Sequence, residues 1–216
     1  MPREPLEKKI PRAKKIVAIL KKKYPDAECA LKFENVHQLM VATILSAQCT
    51  DVRVNIVTKD LFQRYRSIKE FADANILELE NDVRTTGFFR NKAKSIKRSA
   101  QQLLEEFHGE IPRTIDQLTK LAGVGRKTAS VILGTGYGIA EGIVVDTHVT
   151  RISRLLGFTA KTDAVRIEQE LMEIIPKKDW IDYSHLLIHH GRAVCIARRP
   201  KCPICPVNKL CPSAKL

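Results

Sequence analysis

TIDQLTKLAGVGRKTASVILG, residues 114–134, is the stretch on which the fold turns. Ile115, Leu118 and Leu121 keep helical spacing ahead of a glycine pair, and Ala129, Val131, Ile132 and Leu133 follow it. The segment therefore reads as helix, tight hairpin, helix. Gly123 and Gly125 permit positive φ and the close approach of another backbone. Amides exposed at such a turn, where a helix begins, form a phosphate site that is indifferent to sequence. A nucleotide-binding loop of the form G-x-x-x-x-G-K-[ST], ending at Thr128, is excluded, because it needs glycine where Leu121 and Arg126 stand. The first turn of a helix favours acidic side chains, yet Arg126 and Lys127 occupy it. The helix end and Arg126 both disfavour a protonated Lys127, and the neutral amine is the nucleophilic form. On these residues alone, Lys127 is either a phosphate contact or a nucleophile of the Schiff-base type.

Helical periodicity continues on both sides. In NKAKSIKRSAQQLLEEF, residues 91–107, Ala93, Ile96, Ala100, Leu103, Leu104 and Phe107 form one apolar face, with most basic residues off it. NVHQLMVATILSAQ, 35–48, is apolar enough for a core helix, and 13–23, 51–65, 147–156, 163–174 and 178–190 carry the same period. Only IVVD, 143–146, has β-branched character, and it is too short for a sheet. The predicted class is all-α. Gly134, Gly136, Gly138 and Gly142 mark a break between two halves, and Pro25 marks another after the basic N-terminal segment. Residues 30–140 then form one helical block. Periodicity leaves open whether the N-terminal helix returns to the remainder.

The net charge of +13 includes an excess of seven within residues 1–23. A field of that sign points to a polyanion: nucleic acid, an anionic membrane, or neither if the charge only solubilises. The longest apolar run, LMVATIL at 39–45, is too short to span a bilayer, and the N-terminus lacks the apolar core of a signal peptide. A soluble, cytoplasmic protein is expected.

Cys195, Cys202, Cys205 and Cys211 are spaced C-x6-C-x2-C-x5-C. Thiolates bind soft metals, so the choice lies between zinc and an iron–sulfur cluster. Zinc modules usually bring two short-spaced pairs, whereas this compact run suits a loop wrapped around a cubane. Asp146, between an apolar run and the next helix, has the position of an N-cap, which is compatible with a catalytic part.

Taken jointly, LAGVGRKTA, VDTHV with its aspartate 19 residues beyond Lys127, and the four cysteines resemble the endonuclease III family, the iron–sulfur branch of the helix–hairpin–helix DNA glycosylases. LSAQCTD at 45–51, TGFFRNKA at 86–93 and HHGRAVCIARRPKC at 189–202 carry the resemblance over nearly the whole chain. It implies a six-helix domain over 30–140 holding the hairpin, and an iron–sulfur domain built from 1–29 plus 141–216, with the active site in the cleft between them. It implies a bifunctional DNA glycosylase and AP lyase of base excision repair, a monomer acting on double-stranded DNA with oxidised pyrimidines or abasic sites. Lys127 attacks C1′, Asp146 assists, and β-elimination cuts 3′ to the lesion. Gly123, Val124 and Gly125 hold phosphate, Gln48 and Phe88 fill the gap left by the flipped nucleotide, and His148, Arg198 and Arg199 contact DNA. The four cysteines carry a [4Fe–4S] cluster. Monofunctional relatives lack the lysine. Three departures stand out: Ala122 where the family has proline, a loop one residue longer at GYGIAEGIVVD, and Phe88–Phe89 in place of leucine–tyrosine.

Overall fold

The computed structural model describes residues 4–215, and its α-helices follow the chain as α1 (Leu6–Lys23), α2 (Val36–Leu45), α3 (Asp51–Arg64), α4 (Ile68–Asp73), α5 (Ile76–Asp82), α6 (Phe89–Phe107), α7 (Ile115–Leu118), α8 (Arg126–Val131), α9 (Thr147–Leu155), α10 (Ala164–Ile174) and α11 (Trp180–Ala193). No strand occurs among the described residues, as the all-α reading expects. None of the described helices is long and apolar enough to cross a membrane. The chain packs as two units: Cys29–Glu141, and the segments that flank it in sequence.

The first unit is organised around α2, eight of whose ten residues are buried. Asn35 starts the helix by accepting from the Gln38 N–H at 2.9 Å. Met40, Leu45, Phe71, Leu79, Ile96, Leu103 and Leu118 form its core. The apolar face of α6 packs on α4 and α5, and α6 ends with His108 in the left-handed region and Gly109 donating back to Leu103 O at 2.8 Å. α8 does not run on as an α-helix to 133. A π turn occupies Ile132–Gly136, and Gly136 packs so closely on α2 that a Cβ there would lie 3.0 Å from Val36 Cγ1. Gly134 and Gly136 thus belong to the helical layer, not to the break.

One buried group gives this unit a pH dependence. His37, on α2, lies edge-on to Phe71 with ring centroids 5.2 Å apart, and its Nε2 has no hydrogen-bond partner. Burial pushes its pKa down to about 4. A base whose folded pKa is depressed stays neutral while the unfolded chain takes up a proton, so its contribution is complete above pH ~6.5 and is lost as pH falls through 4. Between those limits the loss is about 3 kcal/mol. In His37→Phe, chemical denaturation at pH 7 and at pH 4 should differ by about that much less than in the parent. Equal differences in the two proteins would exclude the assignment.

In the second unit, α1 packs on α10 and α11, and α9 packs on α11. Leu20, Ile16, Phe158, Leu171 and Tyr183 are fully buried there. α1 begins well before residue 13, despite Pro11 inside it. An interior proline removes one backbone bond at a cost of about 3 kcal/mol; burial of Ala13, Ile16, Val17 and Leu20 offsets it. Arg12 adds to this. Its Nη1 donates to Leu156 O and Leu210 O, both at 2.9 Å, and its guanidinium lies 4.8 Å over the Phe158 ring. The N-terminal helix is thereby tied to the end of α9 and to the cysteine-rich loop.

Candidate functional site

The hairpin is built from both sides. Thr114 Oγ1 caps α7 by accepting from the Gln117 N–H at 3.3 Å. Leu121 and Val124 are buried, and the Val124 N–H donates to Leu121 O at 3.1 Å, closing the turn. Gly123 has φ +76°, and a Cβ added there would lie 2.6 Å from Ser95 Cβ on α6. Both conformation and space demand glycine at this position. Gly125 differs from the expectation. Its φ is −85°, so it needs no left-handed freedom, and an added Cβ would meet nothing within 4 Å. What Gly125 leaves is open approach to the start of α8, which no side chain caps. Lys127 stands exposed on that first turn.

Ala122, where the family has proline, also has a physical account. Its N–H donates to Gln102 Oε1 at 2.8 Å, while Gln102 Nε2 donates to Lys120 O at 3.1 Å. One amide of α6 thus clamps the chain at two points just ahead of the turn. Proline at this position would surrender the first of these bonds, so here a side chain supplies the restraint.

The two glycines should therefore respond oppositely to alanine. Gly123→Ala is expected to destabilise the fold by roughly 3 kcal/mol, from the left-handed φ and the clash with α6 together. That corresponds to about 10 °C in thermal unfolding. Gly125→Ala should unfold within about 1 °C of the parent; if the turn is the phosphate site that its sequence predicts, the variant binds duplex DNA about tenfold more weakly, because the added methyl group would occupy the open approach. Unchanged DNA affinity in Gly125→Ala would remove the phosphate role from this turn.

Asp146 is the N-cap of α9: Oδ1 accepts from the Val149 N–H at 2.8 Å, and Oδ2 lies 3.1 Å from His148 Nδ1. Both carboxylate oxygens are held, and the side chain keeps 18% of its surface exposed. Gly191 on α11 makes room for the imidazole, since a Cβ there would lie 2.7 Å from His148 Cδ2. Lys127 belongs to the first unit, Asp146 and His148 to the second.

Gln48 and Phe88 share an uncommon backbone. Both are non-glycine residues in the left-handed region, with φ 52° and 49°, and Phe88 is 65% exposed. Such a conformation costs about 1–2 kcal/mol at a non-glycine residue and persists only where the surroundings hold it. Nothing in residues 45–51 or 86–93 announces this from sequence.

The four cysteines line a single cavity of about 260 Å³, together with Arg151 and His190 among others. Cys202–Ile204 and Asn208–Leu210 each form one 3₁₀ turn, which places Cys202, Cys205 and Cys211 at turn ends. None of the four is in a disulfide. Arg151 Nη1 lies 3.6 Å from Cys195 Sγ, and His190 Nε2 lies 3.5 Å from Cys205 Sγ. Burial raises the thiol pKa of Cys205 and of Cys211, and the neighbouring cysteines raise both further. Four thiolates lining one cavity repel one another unless a cationic group joins them. Among the described residues, no three His, Cys, Asp or Glu side chains are placed to hold a single metal ion. The donor set is all-sulfur and spread around a cavity, which fits a polynuclear iron–sulfur group. Arg198 and Arg199 are exposed on the adjoining loop, which the Lys201 N–H closes onto Val194 O at 3.0 Å.

Comparison with known proteins places these features in a family. Residues 41–177 match the model of the HhH-GPD superfamily base excision DNA repair proteins. The chain is 52% identical to an endonuclease III of Synechocystis sp. over 94% of its own length and 93% of that relative. A solved non-covalent endonuclease III–DNA complex is similar at 43% identity and a TM-score of 0.87, covering 94% of both chains. A trapped endonuclease III–DNA covalent intermediate is similar at 43% identity and a TM-score of 0.86, covering 92% of this chain and 93% of that one.

Proposed function

The chain belongs to the endonuclease III family, within the HhH-GPD superfamily of base excision DNA repair proteins, and is a DNA glycosylase and AP lyase; from that premise we propose that Lys127 is its nucleophile and oxidised pyrimidines its substrates. The observation that carries this reading is the hairpin: an exposed lysine on the first turn of α8, beside a glycine whose missing side chain leaves the approach open. The neutral Lys127 amine attacks C1′, forming an N–C1′ bond as the glycosidic bond breaks and the base departs with a proton. Opening of the sugar ring gives a protonated Schiff base. Loss of a C2′ proton then expels the 3′ phosphate by β-elimination, and water hydrolyses the Schiff base to free the lysine. Asp146, with both oxygens fixed by Val149 and His148, supplies a negative charge that favours the cationic sugar and can take a proton from the amine.

The remaining residues bind. Gly123, Val124 and Gly125 receive a phosphate on backbone amides, and Arg198 and Arg199 neutralise others. His148 lies beside the carboxylate at the DNA. Gln48 and Phe88 enter the duplex where the lesion has left it, unstacking being least costly at a damaged base. Cys195, Cys202, Cys205 and Cys211 would hold a [4Fe–4S] cluster, which supplies the cross-links that shape the basic loop.

Incubation with duplex DNA carrying one oxidised pyrimidine should release the base and nick the strand without added alkali. Base release that needs alkali to reveal the nick would identify a glycosylase without lyase activity and overturn the Schiff-base route.

A further inference from the structure

One buried amine connects two segments that bear on DNA. Lys92, in the first turns of α6, is 6% exposed. Its Nζ donates to Leu45 O at 2.8 Å and to Thr86 O at 2.7 Å. Leu45 is the last residue of α2; the Ala42, Thr43 and Ile44 carbonyls before it accept from the Ser46 N–H, whereas the Leu45 carbonyl accepts from Lys92. An amine there meets the negative end of a helix dipole. Thr86 closes a 3₁₀ turn, Arg84–Thr86. Three residues beyond Leu45 comes Gln48, and two beyond Thr86 comes Phe88, the two exposed residues held at φ 52° and 49°.

We propose that Lys92 is the positioning residue that sets Gln48 and Phe88 at a fixed spacing, so that both enter the gap in the duplex together. The inference rests on the reading of Gln48 and Phe88 as gap-filling residues. Two strained tips, far apart in sequence, hang on carbonyls that share one donor. If those carbonyls separate, each tip can relax to ordinary backbone, and the spacing is lost. Ammonium and neutral amine both carry at least two N–H bonds, so either form serves. Burial lowers the pKa of this amine while Cys49, the facing titratable group, raises it, and neither effect removes the two bonds.

Lys92→Met keeps the stem and removes both donors; it leaves the Leu45 and Thr86 carbonyls without this partner, which costs stability, so folding of the variant is verified before binding is compared. The probe is a duplex with a stable abasic-site analogue, compared with the same duplex undamaged. The parent should prefer the abasic duplex. Lys92→Met should lose that preference by about tenfold while keeping its affinity for undamaged DNA within about twofold. 2-Aminopurine opposite the abasic site should report a weaker change in stacking with the variant. Hydrogen exchange should rise together in 46–49 and 86–89, not in the hairpin at 121–125. Lys92→Gln, which keeps two N–H bonds on one nitrogen but on a shorter stem that reaches the two carbonyls less well, should fall between the parent and Lys92→Met. Gln48→Ala and Phe88→Ala separate the two levels. If they leave the preference intact, the gap-filling reading fails. If they reduce it and folded Lys92→Met does not, the positioning role fails. Failure of both Lys92 variants to fold would also overturn it, since it would make Lys92 a support of the core.

Discussion

Lys127→Ala should lose strand scission by about three orders of magnitude or more while folding normally. Alanine is the best helix former, and an exposed first-turn position supports little packing. One lost positive charge weakens DNA binding severalfold at most and lowers the salt dependence by about one phosphate. The decisive companion is Lys127→Arg. Arginine keeps the charge and can hold a phosphate, but it does not become a neutral amine at any working pH. If Lys127 were only a phosphate contact, arginine would restore most activity. As a nucleophile it should leave Lys127→Arg as inactive as Lys127→Ala. Single-turnover rates on an abasic duplex, with binding measured separately, distinguish these outcomes.

Cys205→Ala is expected to have the second largest effect. Cys205 lies on the cavity wall beside His190, with Cys195, Cys202 and Cys211 around it. Binding of a cluster to a site that the unfolded chain does not present contributes folding free energy directly. Losing one thiolate should abolish the visible absorbance and the bound iron, and loosen the loop that presents Arg198 and Arg199. DNA affinity should then fall at least about tenfold, and the slope of log K against log salt should shrink by about two phosphates. The first unit contains none of these residues, so Gly123-dependent hairpin protection in hydrogen exchange should persist. An iron-free, colourless parent protein that binds and cleaves DNA fully would contradict the assignment.

Legibility in the sequence followed the range of the interactions. Helices with a long apolar stripe, such as α6 and α9, are visible because their faces repeat every three to four residues. α4 and α5, of six and seven residues, show too few turns for a period to register in the sequence. α1 starts at Leu6, ahead of the period at 13–23, because the bonds of Arg12 and the buried face beyond Pro11 override the local cost of that proline. The grouping of the four cysteines is legible because all four lie close together in the sequence. The Asp146 cap was legible for the same reason, its partner Val149 being three residues away. Gln102 and Lys92 were not, because their bonds span 20 and 47 residues. Gly125 shows a further limit. Sequence suggests a conformational need shared with Gly123, but only the backbone reveals that one glycine is required by the fold and the other leaves space.

The central claim is that a covalent bond forms between Lys127 and the sugar. The most direct measurement is reduction by borohydride during turnover on a duplex bearing an oxidised pyrimidine, followed by mass mapping of the adducted peptide. The account predicts a stable protein–DNA adduct whose modified residue is Lys127, and no such adduct in Lys127→Ala. An adduct carried by another residue, or formed at full strength in Lys127→Ala, would contradict it.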